Sequence, residues 1–194
     1  MTPDSIRRAL WLLDTADPEP SALRSNIATA VREARQLVGR DPVTGEAPDP
    51  NPHAMSWAGA LVWFVFIEQI GQCFRLVGTT TPSDSNGKMR SVLESFGGLS
   101  SDEASSVVKL RHRFAHDYSL APPDGPRRFQ LDDGPHLVIS HGDLTVVSLP
   151  MLTEVCEAVL RGLRKSVSSG RVEVAHRGGI DRVVARFTMT YYSE

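Results

Sequence analysis

The chain has 194 residues, with 21 lysines and arginines, 23 acidic residues and a formal net charge of −2. This length suffices for one domain with its own hydrophobic core, and the near balance of charges excludes a general attraction to nucleic acid, so such binding requires a local basic patch. Cys73 and Cys156 have no CxxC or metal-ligand spacing and are expected to be buried thiols of a protein in a reducing compartment.

The residue pattern predicts neither a signal peptide nor a membrane span. The N-terminal segment has Asp4 ahead of Arg7 and Arg8, with no long apolar run behind them. The most apolar stretch, residues 54–67, is shorter than the roughly 20 apolar residues of a membrane span. We therefore expect a cytoplasmic protein without membrane contact.

The N-terminal part of the chain is predicted to form two helices and a loop. Apolar residues recur with helical spacing over residues 6–13 and again over residues 23–38, where Ser21 is the expected cap and Gly39 the stop. Residues 39–53 hold four prolines, which predicts a loop and permits mobility.

Three more helices are predicted before the hydrophobic pattern changes from helical to strand-like spacing. The first, over residues 54–77, is apolar on nearly every side, so we expect it either at the centre of the core or in a subunit interface. A short helix over residues 88–96 and a break at residues 97–98 follow. Ser100 and Glu103 then have the spacing of a capping box, which predicts that the third helix begins beside them.

The C-terminal third combines strands with one long helix. Strand-like runs occur at residues 128–131, 136–140, 144–148, 171–175 and 182–190. The first three predict a β-meander insertion over residues 127–148, and the last two predict a β tail over residues 171–194. Between them, Pro150 marks the first turn of a long helix. The expected fold is a single, mainly α domain over residues 1–194: a helical bundle with an inserted β-meander and a β tail.

The segment from Lys109 to Tyr118 holds the densest set of chemically active side chains. Arg111 and the polar His112 are adjacent, and four residues separate Arg111 from His116. Arginine is a fixed planar cation suited to phosphate, and histidine exchanges a proton near neutral pH. This combination favours phosphate chemistry without a metal ion.

The spacing resembles the signature of HEPN domains, helical proteins that include many RNases. The Arg-x4-His-x-Tyr form of residues 111–118 is similar to that of toxins in HEPN/MNT toxin–antitoxin pairs, and the resemblance covers residues 101–118. It implies a HEPN-like bundle and a metal-independent endoribonuclease without a cofactor, acting as a toxin or antiviral defence effector. It also implies a homodimer with apposed motif helices, an RNA substrate and an antitoxin of the nucleotidyltransferase type.

The resemblance also implies roles for the residues of the segment. His116 is expected to act as general base or acid on the ribose 2′-hydroxyl or the leaving oxygen, and Arg111 to stabilise the transition-state charge. His112 is expected to orient Arg111 or the scissile phosphate, while Arg113 and Lys109 hold flanking phosphates.

Each of these interpretations has a structural alternative. Arg111 lies on the apolar face of its helix, where an ion pair with Glu68 is the alternative to catalysis. In this alternative His116 is a helix C-terminal cap, and the chain is a non-catalytic, dimeric binding or regulatory protein. The mannitol-operon repressor family has a similar Arg-x-x-Phe-Ala-His run without being known as a nuclease, which fits the non-catalytic alternative. Tyr118 is either the site of nucleotide attachment by the antitoxin or an ordinary tyrosine at a helix end.

Three further sets of residues have candidate binding roles. His112 and His116 have the His-x-x-x-His spacing of a zinc helix, but Arg113 stands where that motif requires glutamate, so no metal site is predicted. Hairpin turns explain the scattered acids and histidines at residues 132–143. A second candidate RNA patch, with a solvated surface as its alternative, comprises Arg161, Arg164, Lys165, Arg171, Arg177, Arg182 and Arg186.

Overall fold

Helices dominate the computed structural model, which describes the backbone of residues 1–16, 23–116 and 128–190 and the side chains of residues 1–16, 25–114 and 128–188. The helices are α1 (Pro3–Leu12), α2 (Asn26–Leu37), α3 (Trp57–Cys73), α4 (Ser85–Ser95), α5 (Ser101–His116), α6 (Leu149–Ser168) and α7 (Gly179–Phe187). The strands are β1 (Leu23–Ser25), β2 (Phe74–Leu76), β3 (Arg128–Asp132), β4 (Val138–His141), β5 (Leu144–Ser148), β6 (Val172–Val174) and β7 (Thr188–Thr190). The mainly α prediction is confirmed.

Capping side chains set where most of the helices begin. A hydroxyl or carboxylate oxygen accepts a backbone N–H of the first turn at Thr2, Ser25, Ser56, Asp84 and Ser148. These bonds satisfy N–H groups that have no partner within the helix. The backbone N–H of Gly87 holds the pKa of the Asp84 carboxyl below its ordinary value. Pro150 lies in the first turn of α6, as predicted.

The apolar helix α3 lies at the centre of the core. It contacts α2, α4, α5 and α6, and its Trp63, Ile67 and Ile70 are fully buried. Of the two places expected for this helix, the structure shows the core, although Val65 remains 53% exposed. Within the described ranges, no helix has the length and apolar character needed to cross a membrane.

Cys73 and Cys156 are both buried, as predicted. Burial raises the pKa of the Cys73 thiol to about 12, and it raises that of Cys156 as well. Both groups are therefore protonated packing residues at neutral pH.

Two antiparallel ribbons shorten the helices expected from periodicity. The predicted helix over residues 23–38 begins only at Asn26, with Ser25 as its cap, because β1 pairs with β7. The helix predicted over residues 54–77 is α3, and it ends at Cys73 instead of Val77 because β2 pairs with β6. Periodicity did not reveal these ribbons, since their partners are far away along the chain.

The prediction of a β tail over residues 171–194 is wrong for its second strand. Residues 179–187 form α7, and only Thr188–Thr190 forms a strand. Ile180, Val183 and Phe187 recur at helical spacing and are buried against the core, so burial of this stripe outweighs the strand propensity of valine and phenylalanine.

The prediction of a β-meander over residues 127–148 is also wrong. The sheet has the order β3-β5-β4, with β5 central and parallel to β3. The link from β3 to β4 passes the end of β5, where the Ser148 hydroxyl donates to the Gly134 carbonyl at 2.7 Å and the Ser148 N–H donates to the Leu137 carbonyl at 3.0 Å. The burial of Leu137 in the core anchors this crossing.

Candidate functional site

The N-terminus of the motif helix α5 is held by the predicted capping box. The Glu103 N–H donates to the Ser100 hydroxyl oxygen at 3.3 Å, and the Ser100 N–H donates to the Glu103 carboxylate at 3.0 Å. The Ser100 hydroxyl also donates to that carboxylate, and this bond lowers the pKa of Glu103. Local sequence therefore determines where α5 begins, and with it the angular position of every motif residue.

One face of α5 packs on α3. Val107, Leu110 and Phe114 are fully buried. The Phe114 ring stacks on Trp57 with centroids 4.0 Å apart and contacts Phe64 edge-on at 5.8 Å. Aromatic contacts of this kind add about 0.5–1.5 kcal/mol to the burial of the rings. This face sets the orientation of the helix.

Arg111 lies on the same packed side and forms an ion pair with Glu68 of α3. The two side chains are 21% and 22% exposed, so the pair is only partly accessible to water. This is the structural alternative that the sequence had left open for Arg111. Glu68 was the only acid on the facing helix, so the pairing was predictable from sequence, whereas a catalytic role for Arg111 stays a prediction.

The opposite face of α5 carries the other cations of the motif. Lys109 and Arg113 are one turn apart and line a cleft of about 290 Å³ between α5 and the sheet. His112 lies beside Arg113 on this side and is exposed. Successive residues are about 100° apart on a helix, so this cationic face points away from Arg111.

The sheet supplies the wall of this cleft facing α5. Its lining residues are Phe129, Ser140, Gly142 and Thr145, while Ser106 lines the cleft from α5. Phe129, Thr145 and Ser140 form one row across the sheet, because Phe129 pairs with Thr145 and Thr145 with Ser140. Sequence reasoning missed this wall, since the row exists only when β3 and β5 are parallel neighbours. The cleft combines two cations, hydroxyl groups and one aromatic ring, which suits a phosphate joined to a sugar or base.

The remaining motif residues, His116 and Tyr118, are at the end of the described segment 23–116 and beyond it. His116 is the last residue of α5, and its side chain falls outside the described residues. Its backbone position is about 140° around the helix from Arg111, toward the side of Lys109 and His112. Tyr118, the predicted modification site, lies outside the described ranges altogether.

The acids and histidines of the sheet do not converge. Among the described residues, no three His, Cys, Asp or Glu side chains are grouped as metal ligands. Asp132 accepts the Gly134 N–H at 3.2 Å, which is the turn role expected of it.

Comparison of the chain with protein-family models, curated proteins and solved structures yields no match. The chemistry of the α5 cleft is therefore argued from its own residues.

Proposed function

We propose that this protein is a metal-independent endoribonuclease of the HEPN type that binds single-stranded RNA on the cationic face of α5. One observation carries the proposal: Lys109 and Arg113 line a single cleft together with Phe129 and a row of hydroxyl groups. Lysine and arginine bind phosphate, and hydroxyl groups hydrogen-bond to phosphate and ribose. The cleft volume is close to the lower end of small-ligand sites, about 300–1,000 Å³, which suits one nucleotide of a longer strand.

The catalytic groups in this proposal belong to the same face of the helix. His112 and His116 are four residues apart, so their backbone positions lie on one side of α5. His116 takes the proton of the ribose 2′-hydroxyl, whose oxygen attacks phosphorus, and His112 gives a proton to the departing 5′-oxygen. Arg113 and Lys109 neutralise the extra negative charge on the phosphoryl oxygens. The products are a 2′,3′-cyclic phosphate and a 5′-hydroxyl end.

Arg111 has a supporting role in this arrangement. Its ion pair with Glu68 joins α5 to the central helix α3 and so holds the opposite face toward the sheet. Arg113 and Arg111 therefore have different roles. Arg113 contacts RNA, whereas Arg111 holds α5 in place.

The test is cleavage of an end-labelled single-stranded RNA in excess EDTA. We expect cleavage with cyclic-phosphate ends, a loss of about 10²–10⁴-fold in rate for His116→Ala, and a clear loss for Arg113→Ala. Arg90→Ala, which removes an exposed arginine from α4, is the matched control and should cleave like wild type. Activity that requires magnesium, or that His116→Ala retains in full, contradicts the mechanism.

A second candidate is a non-catalytic dimeric binding or regulatory protein, in which the Arg111–Glu68 ion pair has only a structural role. In that case Arg111→Ala and Glu68→Gln both lower the melting temperature by several degrees, because each leaves a partly buried charge unpaired. Neither variant then changes RNA cleavage, which stays at background in wild type as well. Light scattering should still show the homodimer that both candidates require.

A further inference from the structure

A second concave site lies where α2, α3 and α7 meet. The β1–β7 ribbon builds it: Ser25 pairs with Thr188, so the first residue of α2, Asn26, comes beside Phe187, the last residue of α7. The resulting pocket has a volume of about 300 Å³. Its lining residues are Asn26, Ile27, Ala30, Val65, Phe66, Gln69, Arg186 and Phe187. The walls are thus largely apolar, with two amides and one arginine.

The two amides at this pocket are incompletely satisfied. Asn26 Oδ1 and Gln69 Oε1 are buried, and neither has a hydrogen-bond partner among the residues that the structure describes. A buried acceptor without a partner costs about 1–3 kcal/mol. Both oxygens are shielded from solvent, so donors of a ligand in the pocket reach them only when the Asn26 and Gln69 amides rotate toward it; such a ligand supplies the two missing hydrogen bonds.

A basic cleft adjoins the pocket and shares Arg186 with it. This cleft has a volume of about 510 Å³ and is lined by His176, Arg177, Arg182, Ala185 and Arg186. Arg182 and Arg186 are one turn apart on α7, a like-charge spacing that is unfavourable for an isolated helix. Within the described ranges, none of the three arginines forms an ion pair, and Arg186 lies over the Phe187 ring at 5.3 Å.

The helix that carries this cleft is firmly placed. Its own acid, Asp181, pairs with Arg8 of α1 and is therefore engaged away from the cleft. Ile180, Val183 and Phe187 anchor its other face in the core. The arginines consequently project from a fixed support, which favours specific anion binding over diffuse attraction.

We propose that these two adjoining sites bind a mononucleotide, with the phosphate in the basic cleft and the base in the apolar pocket. Arg177, Arg182 and Arg186 contact the phosphate. The Asn26 and Gln69 amides rotate toward the pocket on binding, and ring or amino N–H groups of the base donate to their oxygens. The site involves no residue of α5 and does not depend on the proposed nuclease activity.

The experiment is isothermal titration calorimetry of the full chain with AMP, CMP, GMP and UMP. Adenosine and ribose 5-phosphate serve as half-ligands, and a single-stranded RNA oligomer serves as the competing class of ligand. At least one mononucleotide should bind saturably, and each half-ligand about tenfold or more weakly, because each reaches only one site. Tight binding of the oligomer alone, or the absence of saturable binding by all four mononucleotides, overturns the proposal.

Variants separate the two parts of the site from general effects on folding. Arg186→Ala should weaken mononucleotide binding about 10- to 100-fold, as expected for loss of a charged hydrogen bond. Gln69→Leu should weaken binding while leaving the melting temperature of the unliganded protein equal or higher, since it removes an unpaired buried acceptor. Arg90→Ala, which removes an exposed arginine of α4 outside this site, should bind like wild type. The proposal is overturned if Arg186→Ala and Gln69→Leu bind normally, or if only Arg113→Ala loses binding.

Discussion

Replacing Glu157 with glutamine is expected to be among the most destabilising single changes in this chain. Arg35 of α2 and Glu157 of α6 form a bidentate pair, with Nε–Oε1 at 2.7 Å and Nη2–Oε2 at 2.9 Å. Their side chains are 5% and 4% exposed. Arg35 Nη1 also donates to the Thr15 hydroxyl at 3.1 Å and the Val43 carbonyl at 2.6 Å, so one guanidinium joins two helices to the proline-rich loop.

The size of the effect follows from this burial. Removing one charge of a buried pair costs about 3–5 kcal/mol, because the remaining charge has no counter-charge. In a chain of this length that corresponds to a fall in melting temperature of about 6–20 °C. Arg35→Met should fall at least as far, since it also releases the Val43 carbonyl. The double variant Arg35→Met/Glu157→Leu should lose less than the sum of the single variants, because no buried charge remains.

The assay is thermal and guanidinium unfolding followed by circular dichroism, combined with limited proteolysis of residues 39–53. Proteolysis of this loop should accelerate in Arg35→Met but not in Glu157→Gln, which keeps the loop contacts of Arg35. Glu154→Gln is the matched control: its partner is Arg40, Glu154 is 48% exposed, and the expected cost is below about 1 kcal/mol. If Glu157→Gln is no less stable than Glu154→Gln, the reasoning is refuted.

Three more outcomes follow from the structure. Light scattering at micromolar concentration should give the mass of a dimer, and a clean monomer contradicts both candidate functions. Gly162→Ala should destabilise by about 1–3 kcal/mol in chemical denaturation, because its Cβ would lie 2.5 Å from the Phe96 carbonyl oxygen; an unchanged midpoint contradicts this close approach. The folded pKa of Glu103 is lowered, chiefly by the Ser100 hydroxyl, so its contribution is present above the ordinary value of 4.5 and is lost as pH falls through the folded pKa. The stability difference between wild type and Glu103→Gln should therefore be constant near neutral pH and vanish in acid.

Local sequence signals were sufficient for the helices that begin at a strong cap. Ser100 with Glu103 predicted the start of α5, and Pro150 predicted the first turn of α6. These signals act over one helical turn, so they are readable without knowledge of the rest of the chain. The burial of Cys73 and Cys156 was likewise evident from their apolar neighbours.

Of the two walls of the α5 cleft, only the wall formed by the helix was predictable from the sequence. The sequence singled out Lys109 and Arg113, which line one cleft in the structure, while their binding of RNA phosphates stays a prediction. It also named Glu68 as the alternative partner of Arg111. The sequence did not identify Phe129 or Thr145, because their position opposite α5 depends on the parallel pairing of β3 with β5.

Everything that depends on pairing between distant segments was decided by the tertiary structure. The β1–β7 ribbon set the start of α2, the burial of Ile180 and Val183 made α7 a helix, and the anchoring of Leu137 placed β5 between β3 and β4. Helix caps and periodicity report on neighbours along the chain, whereas strand order and partner choice depend on which surfaces can be buried together. For the same reason the pocket between Asn26 and Phe187 has no local signal in the sequence, since its walls come from three segments that only the folded chain brings together.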